Sequence, residues 1–295
     1  MKKLITSISV GALALGCAIV GFSGVLKPTV RKVDYSNWMS SVDDFTLIKN
    51  MNIPGTHDTM ALHSIGDLAG QCQSLSLSDQ LRVGVRFLDI RLKLDKNELK
   101  AVHGFVDQRE KFSTIVNTVD SFLVAHPSEF IIMSIKEDDD PSKSDITFDQ
   151  AVNKYAKANW VAPTTLAATT LVEMRGKVLI LSRFKDSTIG VPAYNGWSDN
   201  ATFTLPNGIH VQDEYKLKTV DTKIEAIKNC FTTISASLKI NFLSGYLESG
   251  FPPSYAPSVA NKVNPWIKAN IKTYSNRGIV LYDFVTSELM KGWFE

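Results

Sequence analysis

Two histidines, an acid–arginine pair and a late aspartate are the residues of this chain best suited to acid–base chemistry. His57 follows the tight Pro-Gly turn at 54–55, and His103 is followed by a glycine. Two imidazoles can divide the roles of general base and general acid between them. Arg91 lies two residues after Asp89 and can hold a phosphate in a planar fork. With Asp283 late in the chain, these residues predict phosphoryl transfer without a metal ion.

Each of these residues lies near the end of a short apolar run, and such runs are typical of strands buried on both faces. Eight runs are strand candidates: 47–53, 85–91, 99–103, 129–136, 177–183, 209–213, 238–242 and 278–283. Helical spacing of apolar residues separates several of them, most clearly over 112–123 before Pro127, and more weakly over 148–159, 220–233 and 258–273. The alternation predicts a single (β/α)₈ TIM-type barrel.

One connection is too short for a regular barrel. Only residues 95–98 separate the second and third runs, and parallel neighbours need a longer crossover. Part of 92–102 is therefore predicted to be a hairpin, and the barrel to be distorted. In such a barrel the carboxyl ends of the strands meet at one face, where active sites lie. The polar residues expected there are His57, Asp58, Asp89, Arg91, His103, Lys136, Arg183, Asp213 and Asp283.

Each residue also has a structural interpretation when it is taken alone. A histidine after a strand is often only hydrogen-bonded, Asp58 could cap a helix, and Asp89 with Arg91 could be a simple ion pair. The acidic run 137–140 lacks the spacing of a calcium loop and indicates a solvated loop.

The bulk properties limit the partners and the compartment. The chain has 295 residues, 44% of them hydrophobic, and a net charge of +2 without a long basic stripe, which argues against nucleic acid. A membrane surface stays open as a partner, and we expect a monomer. Residues 4–26 carry no charge and follow Lys2-Lys3, so 1–32 are predicted to be a leader and 33–295 the catalytic barrel.

The leader has three interpretations, namely a cleaved signal peptide, a retained anchor, and a lipoprotein signal ending at Cys17. All three place the folded part outside the cytoplasm, either secreted or attached to the outer face of a membrane. Cys72 and Cys230 could pair there or remain two buried free thiols.

The motifs taken together resemble the bacterial phosphatidylinositol-specific phospholipase C family. The resemblance is carried by the segments 53–58, 87–91, 103–104, 127–136, 175–183 and 211–215 and by the run ending at Asp283. It implies a lyase that forms diacylglycerol and inositol 1,2-cyclic phosphate from phosphatidylinositol. His57 would be the base, His103 the acid, and Asp283 and Asp58 would support them.

The resemblance also implies the remaining site residues. Asp89 would lie beside the nucleophile, and Arg91 would stand where calcium-dependent relatives hold their metal, so neither metal nor cofactor is expected. Lys136, Arg183, Asp213 and Tyr215 would grip the inositol ring. Tyr246, Phe251 and Tyr255, in a loop that replaces a tryptophan-bearing loop of the family, would meet the bilayer.

Two other functions remain open at this point. The barrel could bind inositol lipids without cleaving them, or it could be a metal-dependent phosphodiesterase for glycerol esters or sphingolipids. The sequence does not decide whether glycosylated phosphatidylinositol anchors are substrates as well.

Overall fold

The computed structural model describes residues 33–65, 70–248 and 256–295. Residues Val33–Glu295 form one compact unit. Its fourteen strands are β1 Ile53–Thr56, β2 Phe87–Asp95, β3 Glu98–His103, β4 Val106–Lys111, β5 Ile131–Ser142, β6 Trp160–Val161, β7 Val178–Arg183, β8 Val191–Pro192, β9 Thr202–Thr204, β10 His210–Gln212, β11 Lys216–Leu217, β12 Lys239–Phe242, β13 Tyr246–Leu247 and β14 Ile279–Tyr282.

Seven α-helices of the described residues surround the strands. They are α1 Leu77–Arg82, α2 Phe112–Ala125, α3 Phe148–Asn153, α4 Leu171–Met174, α5 Val220–Thr232, α6 Ala256–Asn270 and α7 Ser287–Phe294. Polar side chains cap the N-termini of several of these helices. Thr147 and Gln150 form a capping box on α3, and Thr219 and Thr286 cap α5 and α7. In the described part of the chain, no helix is long and apolar enough to cross a bilayer.

Twelve of the described strands form one curled, mainly parallel sheet, which is the distorted barrel that the sequence predicts, and β11 pairs with β13 in a separate sheet. Its central order is β7-β5-β2-β1-β14-β12-β10, and every neighbouring pair in it is parallel. Among the described residues no pairing joins β7 to β10, so the hydrogen-bonded circle stays open there. The predicted hairpin is present, since β3 pairs antiparallel with β2 and β4 with β3.

Seven of the eight predicted runs contain a strand, and the first was wrong in its placement. Residues 48–50 form a 3₁₀ helix, and β1 begins only at Ile53. The polar residues Lys49, Asn50 and Asn52 interrupt that run, so it cannot be buried on both faces. Gly55 in β1 meets β2 closely, because a Cβ at this position would lie 2.8 Å from the Cβ of Phe87.

The alternation of side chains along the strands divides the core into two layers. One layer packs the outer face of the sheet against the helices and includes Leu88, Met133 and Ile180. The other fills the interior of the barrel with side chains such as Phe87, Ile132, Leu179, Phe242 and Leu281. Positions that continue the interior series past these apolar residues point toward the carboxyl-terminal mouth of the barrel.

Candidate active site

A cleft of about 1290 Å³ opens at the carboxyl ends of the parallel strands. Most of the predicted site residues line it: His57, Arg91, His103, Lys136, Arg183, Asp213, Tyr215, Tyr246 and Asp283. Asp58 and Asp89 are absent from this lining, because both side chains are fully buried behind it. The structure therefore brings the predicted residues together but places two of the aspartates in a second layer.

His57 and Asp283 are brought together by strand pairing. β1 and β14 run in parallel register up to Thr56 opposite Tyr282, so the next residue of each strand stands side by side at the mouth. His57 Nδ1 lies 2.8 Å from Asp283 Oδ1. A carboxylate accepts from this nitrogen, so Nε2 is left as the basic nitrogen of the ring.

Gln73 holds this pair in place, a role that no sequence pattern indicated. Its side-chain amide donates to the backbone carbonyls of His57 and Tyr282, each at 2.8 Å, and its oxygen accepts from the amide of Val285 at 3.2 Å. The side chain is fully buried. One glutamine thus fixes the two chain segments that carry the base and its carboxylate.

His103 is held differently from the prediction. Its Nδ1 lies 3.0 Å from the carbonyl oxygen of Gly70, whereas Asp58 Oδ2 is 3.6 Å away and outside hydrogen-bonding distance. A backbone carbonyl orients the ring, and the predicted support by Asp58 is an ion-pair contact without a hydrogen bond. A carbonyl only accepts, so Nδ1 carries a proton. Burial, and then the charge of Arg91, lower the pKa of His103.

The two buried aspartates differ in charge although they share Arg91. Asp89 accepts from Arg91 at 3.0 Å, from Arg183 at 3.1 Å and from the amide of Asp58 at 3.1 Å. Burial alone would raise its pKa, but Arg91 and Arg183 hold the pKa of Asp89 well below the usual range. Asp58 lies 3.7 Å from Arg91, and burial raises the pKa of Asp58 to about 7.

Three cations form a row across neighbouring strands. Arg91 in β2 is in register with Lys136 in β5, and Lys136 is in register with Arg183 in β7. The shared register places these three side chains on the same face of the sheet. The charges of Asp89, Asp58 and Asp138 outweigh the effect of burial and raise the pKa of Arg91 further. The mouth of the barrel thus carries a fixed positive surface suited to a phosphodiester.

Asp138 belongs to this site, and the predicted solvated loop at 137–140 was wrong. β5 continues through Ser142 because it pairs with the long strand β2, and Lys93 bonds Asp139 at 2.6 Å. Asp138 contacts Lys136, lies 3.8 Å from Arg91 and accepts from the amide of Gly104 at 2.7 Å. It therefore ties the cation row to the turn that follows His103.

Arg183, Asp213 and Tyr215 form the other wall. The Arg183 guanidinium lies 3.6 Å from the ring centroid of Trp197, whose indole nitrogen lies 3.3 Å from Asp213 Oδ2. The hydroxyl of Tyr215 donates to Asp199 at 2.5 Å, and burial together with this bond raises the pKa of Tyr215 to about 12. Trp197 is a further residue that the sequence did not single out.

Buried Lys223 on α5 supports this wall from behind. Its ammonium donates to Gln212 Oε1 at 3.0 Å and to the carbonyl of Glu214 at 2.7 Å, on both sides of Asp213. Burial lowers the pKa of Lys223 to about 8.

Cys72 and Cys230 are both free and buried, which decides the question that the sequence left open. Cys72 lines the cleft, and two groups of potential ligands share it: His57, Cys72 and Asp283, and Asp58, Cys72 and His103. Sequence spacing could not show these groups, because the members of each come from three separate segments.

The rim of the cleft carries exposed apolar side chains. Tyr246 lines the cleft, whereas Phe251 and Tyr255 lie outside the described residues. Phe105, in the turn after His103, is 81% exposed, and Tyr194 is 49% exposed. Both line the mouth of the cleft.

Comparison with known proteins shows which family this chain resembles. Residues 51–184 match the family model "Phosphatidylinositol-specific phospholipase C, X domain". The chain is 31% identical to the 1-phosphatidylinositol phosphodiesterase of Listeria monocytogenes over 281 residues, which cover 90% of this chain and 86% of that protein. It is 32% identical to the Staphylococcus aureus (strain Newman) protein of that name over 262 residues, which cover 80% and 83%.

Solved structures show the same fold. A mutant of the S. aureus phosphatidylinositol-specific phospholipase C superposes with a TM-score of 0.78 at 29% identity, covering 88% of this chain and 97% of that one. The L. monocytogenes enzyme gives 0.69 at 28% identity, with coverage of 88% and 97%. Membrane binding is described for the S. aureus protein. The chain belongs to the phosphatidylinositol-specific phospholipase C family.

Proposed function

We propose that this protein cleaves phosphatidylinositol to diacylglycerol and inositol 1,2-cyclic phosphate without a metal ion. The observation that carries the proposal is the pairing of His57 with Asp283 at 2.8 Å in the same cleft as His103 and Arg91. A base with a fixed tautomer, a separate imidazole acid and a phosphate-binding cation are the complete set for this reaction.

The reaction begins at His57. Its Nε2 takes the proton of the inositol 2-hydroxyl while Asp283 stabilises the imidazolium that forms. The oxygen attacks phosphorus, and the bond from phosphorus to the glycerol oxygen breaks. Protonated His103 gives its Nε2 proton to that oxygen, and its lowered pKa makes it a stronger acid. Water can then open the cyclic phosphate in a slower second step, in which His103 is the base and His57 the acid.

Arg91 is the group that supports a metal-free mechanism. Its guanidinium donates to Asp89, stands in register with Lys136 and faces the cleft. Fixed donors of this kind stabilise the charge that develops on a phosphate in the transition state. Asp89 acts by holding Arg91 and Arg183 rather than by contacting the nucleophile.

The inositol ring is held by the other wall. Lys136, Arg183 and Asp213 offer charged donors and acceptors to its hydroxyls, and the ring of Tyr215 provides a flat face for stacking. Trp197 contacts both Arg183, through its ring, and Asp213, through its indole nitrogen, so both side chains are held in position without a ligand.

The partner is the surface of a membrane. The S. aureus relative binds membranes, and the exposed Phe105 and Tyr194 lie at the mouth of this cleft. We propose that residues 1–32 direct export, that the barrel acts as a monomer on the outer face of a membrane, and that nucleic acid is not a partner. Glycosylated phosphatidylinositol anchors present the same phosphodiester and would be further substrates.

The test is turnover of phosphatidylinositol vesicles by the wild type and by His57→Ala and His103→Ala. Each loss of an acid–base group should lower kcat by roughly 10²-fold or more. His126→Ala is the control, because this histidine bonds Asn37 outside the cleft. Normal turnover by either cleft variant would refute the mechanism. Vesicle binding without turnover by the wild type would instead favour a lipid-binding barrel.

A further inference from the structure

Cys72 is a buried thiol at the centre of the catalytic cleft to which the proposed reaction gives no role. Its side chain is only 1% exposed, and its Sγ lies 3.8 Å from His103 Nδ1. Its backbone holds neighbouring segments, since its amide donates to Ala61 and its carbonyl accepts from Phe284. Burial raises the pKa of the Cys72 thiol well above its ordinary value, so the free protein holds it protonated.

The atoms around this thiol have the spacing of a metal site. A carboxylate oxygen of Asp58, the sulfur of Cys72 and a ring nitrogen of His103 all lie within 4.8 Å of one another. Two of the separations from His103 Nδ1 are 3.6 Å to Asp58 and 3.8 Å to Cys72. Ligands at roughly 2.0–2.3 Å from a tetrahedral zinc ion stand about 3.3–3.8 Å apart. Only a small movement of these three side chains would place all three ligand atoms at bonding distance from one cation.

Asp58 gives a second, independent indication. Its side chain is buried, and neither of its oxygens accepts a hydrogen bond from any residue that the structure describes. Buried polar groups in native proteins are almost always hydrogen-bonded, so an exception calls for a ligand or an ion. Asp58 Oδ2 lies 3.6 Å from His103 Nδ1, and a carboxylate oxygen of Asp58 lies within 4.8 Å of the thiol sulfur.

The charge of the surroundings is compatible with a cation. Arg91 lies 3.7 Å from Asp58, but it is also bound by Asp89 and lies within 3.8 Å of Asp138. Asp89 and Asp138 thus share the charge of Arg91, and Asp283 is a further carboxylate in the same cleft.

We propose that Cys72, His103 and Asp58 form an inhibitory site for a thiophilic divalent cation, Zn²⁺ or Cd²⁺. On binding, the thiol and any protonated Asp58 carboxyl group release their protons to solvent. His103 Nδ1 also gives up its proton to solvent while Nε2 takes one up, so the ring stays neutral. Sulfur, Nδ1 and carboxylate then each form one bond to the cation. His103 Nδ1 exchanges the Gly70 carbonyl for the metal. The ring can then no longer become the imidazolium that protonates the leaving oxygen. The inhibition, though not the binding, rests on the proposed role of His103.

The thiolate decides which cations this site accepts. Sulfur ligands select Zn²⁺ and Cd²⁺ over Ca²⁺ and Mg²⁺, which require oxygen ligands. Calcium and magnesium should therefore neither bind here nor inhibit. Inhibition by Mg²⁺ as strong as that by Zn²⁺ would overturn the proposal.

Binding is measured directly with Cd²⁺ on the full chain, by calorimetry and by the ultraviolet charge-transfer band of cadmium thiolate. Cys72→Ser and Cys72→Ala are compared with Cys230→Ser, which removes the other buried thiol, on α5. Any signal from Cys17 is common to all variants. We expect both Cys72 variants to lose the cadmium thiolate absorption that comes from Cys72 and to bind Cd²⁺ at this site at least ten-fold more weakly. Cys230→Ser should bind Cd²⁺ like the wild type. Equal binding by the Cys72 variants would overturn the inference.

Activity on a soluble inositol phosphodiester separates this inference from the proposed function. The Cys72 variants should keep their turnover without metal and need at least ten-fold more Zn²⁺ for half inhibition. Binding that depends on Cys72 but leaves turnover unchanged would refute the inhibitory role and count against His103 as the acid. Active enzyme without binding at Cys72 would refute this inference and leave the proposed function intact.

Discussion

Asp58 and Asp89 show how position sets the state of a carboxyl group in this site. Both are buried beside Arg91, yet Asp89 receives hydrogen bonds from two guanidiniums and a backbone amide, while Asp58 receives none from the described residues. The pKa of Asp89 is accordingly lowered and that of Asp58 is raised. At Asp89 the charges of Arg91 and Arg183 outweigh burial, whereas at Asp58 burial outweighs the charge of Arg91, so Asp89 is the one that stays ionised.

A prediction about Lys223 follows from its lowered pKa. The folded protein loses the ammonium proton at about pH 8, whereas the unfolded chain keeps it to about 10.5. Between these values the unfolded chain binds more protons, so the contribution of Lys223 to stability rises with pH. From about pH 8 to about pH 9.5 the wild type should gain about 2 kcal/mol relative to Lys223→Met, at ~1.4 kcal/mol per unit.

Urea unfolding of both proteins across this range measures the gain. Lys228→Met is the matched control, because Lys228 lies on the same helix with an exposed side chain. Its difference from the wild type should not change with pH. A constant difference between the wild type and Lys223→Met would contradict the account of this residue.

The residues that the sequence identified are those whose position in the chain shows their role. His57, Arg91, Lys136, Arg183 and Asp283 stand where apolar strands end, and a charge there needs a polar cleft. Gln73, Trp197 and Cys72 do not stand out in the sequence in this way, because their roles depend on contacts between distant segments. Asp138 was hidden in an acidic run that also fits a solvated loop.

At the scale of elements, parallel register is what builds the site. The pairing of β1 with β14 joins the base to its carboxylate, and β2, β5 and β7 place three cations in one row. The β2–β3–β4 meander returns the chain so that His103 also reaches the cleft. Strands and hairpin could be predicted from apolar runs and a short connection. Their register could not, since it depends on packing across the whole sheet.

We expect the turn between β3 and β4 to contribute to membrane binding through Phe105. Phe105 is 81% exposed beside the proposed acid, so it lies where diacylglycerol would leave. Burying such a ring contributes about 1.5–3 kcal/mol, so Phe105→Ser should weaken vesicle binding on the order of ten-fold or more. Turnover of a soluble substrate should stay near that of the wild type.

Cosedimentation with phosphatidylinositol vesicles measures this effect. Phe45→Ser is the matched control, because Phe45 is 78% exposed in a segment whose neighbours Asp44 and Thr46 contact Arg175 and Leu171, away from the cleft. It should bind vesicles like the wild type. Equal losses in the two variants would show that general surface hydrophobicity, and not the rim of the cleft, drives binding.

Within the described residues, a curled sheet with no pairing between β7 and β10 still collects the acid–base and phosphate-binding residues at one end. The apolar side chains in the interior below them stabilise the barrel, so the residues at its mouth are not needed for the core and can be charged. Composition and alternation of runs predicted this architecture. The absence of pairing between β7 and β10 in the described residues depends on which strands meet after the sheet has curled, and no local pattern records that.

The division of the chain leads to a whole-molecule prediction. Residues Val33–Glu295 form a compact unit with its own core. A variant that lacks residues 1–32 should therefore unfold at the same temperature as the full chain in detergent and turn over a soluble substrate at the same rate. Calorimetry and the kinetic assay check this. A large fall in either would mean that the leader is part of the folded enzyme.

Phosphorus NMR of phosphatidylinositol turnover with excess chelator tests whether the enzyme works without a metal ion, as the position of Arg91 implies. We expect a cyclic inositol phosphate resonance to appear first, at a rate that the chelator does not lower. Loss of turnover with the chelator, or a first product that is an open phosphomonoester, would contradict this expectation.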